Sequence, residues 1–175
     1  MRSIPDPGFA DDDGAVDPVV AAALAAYDGA GPGEPSAHLE ALAAIQDSRL
    51  IVPVVAMLDE LEEPAGGEGL PREKSSDMAA VLMTGRDGRT ALLAFTGAAS
   101  MDRWAQTYDG GEARPVPVPA RQAARAALQD QAVALLVDVA GPVLFVVEGE
   151  DLRSLAAGHR LLRLDDGSWG WAQSP

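Results

Sequence analysis

The chain reads as an α+β protein, a mixed and mainly antiparallel sheet of roughly five to seven strands with helices packed on it. Three observations carry that reading. Short apolar runs rich in Val, Leu and Ile recur at 50–58, 78–83, 90–95, 133–139 and 143–147, each of strand length and bounded by turn-forming residues. Between them lie segments whose apolar residues fall at helical spacing, such as Met101, Trp104, Ala105 and Tyr108, one face of a 3.6-residue period. Gly85-Arg86-Asp87-Gly88 and Asp165-Asp166-Gly167 join neighbouring runs, with glycine where a tight hairpin needs positive φ. The 175 residues suit one domain that buries roughly 70% of its unfolded surface. Only 5% are aromatic, so Ala, Val and Leu must fill the core.

Taken in order, residues 1–16 are acidic and rich in Pro and Gly and read as a mobile arm ahead of a domain spanning 17–175. Asp17-Pro18 is a helix start, an N-cap followed by proline at the first helical position. Val20, Leu24 and Tyr27 form its apolar face, and the glycines of 29–33 end it. A second helix starts at Ser36, with Leu39, Leu42 and Ile45 as its stripe. The run 50–58 is a strand apolar on both faces, in which Pro53 predicts an edge or a bulge. Residues 59–76, acidic with paired glycines, predict a surface loop within the domain.

Next come the hairpin over 78–95 and a helix whose stripe runs through Met101, Trp104 and Tyr108, closed by Gly110-Gly111. Burying Trp104 on that hairpin is worth ~3 kcal/mol or more against alanine. Residues 114–118 alternate with prolines and make at best an edge strand. A helix over 119–130 leads into the buried strand 133–139, and Gly141-Pro142 turns the chain into 143–147. A short helix over 150–157, ended by Gly158, precedes a closing hairpin of 159–164 and 168–172.

Charge narrows the functions. Thirteen basic residues against 27 acidic ones give a net −14, a surface that repels phosphate backbones and anionic lipid heads. Neither a nucleic-acid nor a membrane partner is expected; a protein partner is. The absence of cysteine excludes disulfides, thiolate metal sites, iron–sulfur clusters and cysteine nucleophiles. The apolar stretch 132–147 is broken by Asp138 and Gly141-Pro142 and cannot span a bilayer. The first thirteen residues show no signal-peptide pattern, so the cytoplasm is the expected location. No cofactor is expected: Gly85-Arg86-Asp87-Gly88 lacks the lysine of a phosphate-binding loop, and no Gly-x-Gly-x-x-Gly opens a helix.

Several of these segments resemble the N-terminal domain of the SseB family, named for enhanced serine sensitivity, in an actinobacterial form. The resemblance rests on Asp77-Met78-Ala79-Ala80-Val81-Leu82, Gly88, Phe95-Thr96 and Met101-Asp102-Arg103-Trp104. It continues through Leu135-Leu136-Val137-Asp138-Val139-Ala140-Gly141-Pro142 and the helix at Leu152–Leu155, covering about 38–157. It implies an α/β domain of poorly defined biochemistry with no catalytic residues to transfer.

The candidate residues are few. Asp77, Asp87 and Asp138 sit at strand ends or turns, where carboxylates can serve acid–base chemistry if one has a raised pKa and the groups converge. Turn chemistry accounts for Asp87 and Asp138 equally well. His38 and His159 lack ligand-spaced partners, so no metal site is expected. Ser75, Ser76 and Ser100 have no Gly-x-Ser-x-Gly elbow around them. Arg121 and Arg125, four apart on one helix face with Arg114 upstream, form a basic cluster able to hold an acidic partner. Trp169 and Trp171 project from one side of a strand and form either an aromatic contact patch or a cap on the core edge. The expected function is a non-enzymatic, cytoplasmic protein-binding or regulatory module, with partner contacts at Arg121, Arg125, Trp169 and Trp171. The alternative is a small carboxylate-dependent hydrolase or transferase.

Overall fold

Asp17 opens the first helix as its chemistry requires: its carboxylate accepts the Val19 N–H at 2.7 Å, and Pro18 takes the first helical position in α1 (Pro18–Ala30). Val20 and Leu24 are its buried face. The computed structural model describes residues 9, 11–31, 34–57 and 77–173. Most of the arm, the 59–76 loop with Ser75 and Ser76, and the Asp77 side chain lie outside the described residues. Helix α2 (Pro35–Gln46) buries Ala41, Leu42 and Ile45 and leads directly into strand β1 (Arg49–Met57).

Strand β1 is central in a three-stranded antiparallel sheet, between β2 (Asp77–Ala80) and β5 (Arg114–Pro119). Met57 faces Asp77 at the far end of the β1–β2 ladder. The second sheet runs β3 (Leu82–Thr84), β4 (Thr90–Ala94), β6 (Ala134–Val137) and β7 (Phe145–Glu148), with β4 and β6 parallel and the outer pairs antiparallel. A third sheet is the closing hairpin of β8 (Arg160–Arg163) and β9 (Trp169–Ala172). Three further helices lie among the described residues: α3 (Ala98–Ala105), α4 (Ala120–Gln129) and α5 (Gly149–Ala157). The α+β class holds, but the strands divide among three sheets instead of forming one.

The division has a local cause at Pro53. The proline lies inside a central strand, neither at an edge nor in a bulge, opposite Pro115 on one side and Val81 on the other. Val81 donates its N–H to Pro53 O at 3.0 Å. Proline has no N–H to return to the Val81 carbonyl, and that carbonyl accepts Leu93 N–H of β4 at 3.2 Å. The strand 77–84 therefore changes partner at Val81, leaving β1 for β4. A two-way bridge, Ile51 to Phe95 at 2.8 Å in each direction, joins the sheets a second time.

Both faces of β4 and β6 are covered. Leu92, Ala94, Leu135 and Val137 point into the larger core with Val20, Leu42, Ile45, Ala124 and Leu155. Leu93 and Phe95 face a smaller core with Val81, Met101 and Trp104. Trp104 packs on Phe95 with ring centroids 5.5 Å apart, the burial its stripe predicts. Tyr108 stacks on Trp104 at 4.6 Å, although α3 has already ended at Ala105. Thr107 is the reason: its N–H and its hydroxyl both bond Trp104 O, at 2.9 and 2.8 Å, tightening the final turn.

The hairpin at 85–89 follows its turn chemistry. Gly85 N–H bonds Arg89 O at 2.8 Å, and Gly88 takes φ +79°. The closing hairpin is tied to α2 by the Arg160–Asp47 and Arg163–Glu40 ion pairs and by the side chain of Gln46. The Gln46 amide donates to Leu161 O at 2.9 Å and accepts Leu161 N–H at 2.8 Å, acting as a single rung of sheet.

Candidate functional site: the carboxyl ends of the central strands

In a sheet with parallel strands, the crevice beyond their carboxyl ends is where ligands most often bind. Here that crevice holds the only fully buried carboxylate among the described residues, Asp138, which follows β6 and is 3% exposed. Its backbone lies at φ +58°, a left-handed position that Asp tolerates better than most residues. Gly141 packs so closely that a Cβ would stand 2.7 Å from Asp138 Cβ, so the turn back into β7 requires glycine there.

Three donors converge on Asp138. Oδ1 accepts Thr96 N–H at 2.9 Å and the Ser100 hydroxyl at 2.6 Å, while Oδ2 accepts the Thr96 hydroxyl at 2.6 Å. Ser100 Oγ also lies 3.0 Å from Gly97 O. Its single proton goes to the shorter, charge-assisted bond with the carboxylate. Thr96 and Ser100 are themselves only 6% and 5% exposed. The cluster thus braces the ends of β4 and β6 against the first turn of α3.

The other side of Thr96 is held by Arg49. Its guanidinium donates to Thr96 O, to Ala15 O at 2.7 Å and to both carboxylate oxygens of Asp12. The Arg49 hydrogen bond is the main reason that the Asp12 carboxyl titrates below the ordinary carboxylate range, against the opposing effect of burial. Residues 11–16, placed in a mobile arm by composition, are consequently pinned to the domain. Ala98 N–H bonds Gly14 O at 2.7 Å, and a Cβ on Gly97 would meet that same oxygen at 3.1 Å.

This segment roofs a cavity of about 450 Å3. Val16 and, from α1, Ala21, Leu24 and Ala25 give it apolar walls. Thr96, Ser100 and Asp138 form its buried inner end, and Asp28 and Arg103 stand at its exposed outer edge.

The other sequence candidates scatter. Asp87 sits in the exposed turn, where Arg89 donates to it through Nε at 2.6 Å and through its backbone, lowering its pKa. His38 stacks on Phe145 at 4.8 Å, and its ring nitrogen meets Asp151, not Asp138, at 3.3 Å. His159 donates its backbone N–H to Ser154 O. The structure therefore brings together Asp138 and Ser100 but adds neither histidine to them. Among the described residues no three His, Asp or Glu side chains gather as a metal site.

Arg121 and Arg125 are both exposed on α4, and neither forms an ion pair among the described residues. Arg125 reaches only Ala156 O, at 3.4 Å. Trp169 and Trp171 are half-buried against the larger core. Trp171 Nε1 donates to Asp151 at 3.2 Å, and the Arg163 guanidinium lies over Trp169 at 6.0 Å. Their packing matches the core-cap reading more than an open aromatic patch. Sequence reasoning missed Arg49, Asp12 and Thr96. Each is an ordinary residue type, and they meet across separations of 37 to 47 positions that no spacing rule addresses.

Fold and site together define a mixed α+β domain whose central strands end in a buried carboxylate–hydroxyl brace. The chain belongs to the SseB family: residues 20–154 match the model of the SseB protein N-terminal domain. The match takes in α1 from Val20 onward, ahead of the 38–157 span that carried the resemblance, and leaves the β8–β9 hairpin outside it. No curated protein and no solved structure matches the chain. Among the described residues, no helix is long and apolar enough to cross a membrane.

Proposed function

We propose that this protein is a non-enzymatic, cytoplasmic module of the actinobacterial SseB type that works by binding a protein partner. The state of Asp138 carries the reading. All three donors around it are committed to bracing the fold, and among the described residues no histidine or second carboxylate is hydrogen-bonded to it for proton transfer. Arg121 and Arg125 supply the contact. They are unpaired among the described residues of a chain with net charge −14, which favours an acidic segment of the partner at this one face.

Affinity capture with the wild type and with Arg121→Glu/Arg125→Glu, followed by calorimetry on each captured protein remade in pure form, tests the proposal. A stoichiometric complex weakened about tenfold or more by the charge reversal is the expected result. Turnover of ester, amide or phosphoryl substrates by the purified protein, lost in Ser100→Ala, would overturn it in favour of a hydrolase or transferase.

A further inference from the structure

The inner end of the cavity has an unusual hydrogen-bonding character. The Thr96 and Ser100 hydroxyls each own one proton, and both protons are spent on Asp138 at 2.6 Å. The Thr96 N–H is spent there too. What these groups still offer is therefore only acceptor lone pairs, on two hydroxyl oxygens and on Oδ2 of the carboxylate, which holds one donor against two on Oδ1. An anion is disfavoured, because Asp138 already occupies the anion position at the start of α3 and Gly14 O takes the Ala98 N–H. At the outer edge Asp28 and Arg103 carry opposite charges, so the buried Asp138 sets the net negative charge of the lining. The walls between are aliphatic, and a volume of about 450 Å3 lies within the range of small-molecule sites.

We propose that this cavity binds a small organic ammonium compound, its charged head on the Thr96–Ser100–Asp138 acceptors and its apolar body against Leu24 and Ala25. This goes beyond the partner-binding reading, since it involves neither Arg121 nor Arg125. A donor-rich cationic head satisfies three acceptors that water otherwise serves, while the aliphatic portion replaces water on the α1 wall. An alcohol of the same shape keeps the apolar contact but gives up the charge. A bare alkali cation does the reverse.

The test is a titration of the 175-residue protein with n-butylammonium chloride, read by amide chemical shifts at Thr96, Gly97, Ser100 and Asp138. Saturable shifts at these amides are expected, with a midpoint of about 1–10 mM. n-Butanol and potassium chloride should each bind at least tenfold more weakly at the same amides. Asp28→Asn, an exposed change outside the brace, should raise the midpoint about 2- to 5-fold. Ala25→Phe should abolish the shifts by filling the cavity from the surface of α1, with melting temperature reporting that the fold survives. Linear, non-saturating shifts, equal binding of n-butanol or potassium, or an unchanged midpoint in folded Ala25→Phe would each overturn the proposal.

Discussion

At the scale of single residues, Asp138 decides most. The residue is 3% exposed and its carboxylate gathers three donors, so removing it strands the Thr96 N–H and two hydroxyls together. Asp138→Ala should cost about 3 kcal/mol, combining lost charge-assisted bonds with the strain of alanine at φ +58°. Asp138→Asn, which tolerates that backbone and keeps one acceptor oxygen, should cost less than half as much. Urea unfolding with unchanged slope and shifted midpoint measures both; equal midpoints for the two variants would contradict the brace. Asp138 was visible in the sequence as a polar residue interrupting an apolar run, and Ser100 as a serine without a nucleophile elbow around it. Their contact was not visible, because 38 positions separate them and only the parallel pairing of β4 with β6 brings them together.

At the scale of elements, local signals served well wherever one element determines its own shape. Asp17-Pro18, the stripes of α1 and α2, the glycine of the 85–88 turn and the edge position of β5 were all legible. Pro53 was legible as an exception but not in its consequence. An absent N–H ends a rung in any strand, and only the presence of β4 behind Val81 turns that gap into a change of partner. The C-terminal hairpin shows the same limit, since no pattern marks Gln46 as a rung for Leu161. Gln46→Ala should leave that N–H and carbonyl without partners, destabilising the protein by about 1–3 kcal/mol. Hydrogen exchange should speed first at Leu161 and through β8 and β9. Unchanged protection of the hairpin would mean that the Gln46 rung is dispensable beside the Arg160–Asp47 pair and the packing of Leu161, Trp169 and Trp171.

At the scale of the whole molecule, Arg49 links the segment 11–16, strand β1 and the end of β4. Because the folded-state pKa of Asp12 lies below its unfolded value, the link contributes fully above about pH 4 and is lost as pH falls through the folded value. Thermal melts from pH 6 down to pH 3 should show the wild type descending toward Asp12→Asn, which lacks this component at every pH. A constant gap between the two proteins across that range would show that the ion pair does not report on folding.

The β1–β2 ladder carries one more consequence. Met57 and Asp77 stand opposite one another, so the nineteen residues between them join two chain ends that the sheet already holds side by side. The entropy of closing such a loop grows only with the logarithm of its length, about 0.6 kcal/mol per doubling. Chain length at this point is thus nearly free to change. Lengthening or shortening the segment between residues 58 and 76 is expected to leave the Met57–Asp77 rung in place.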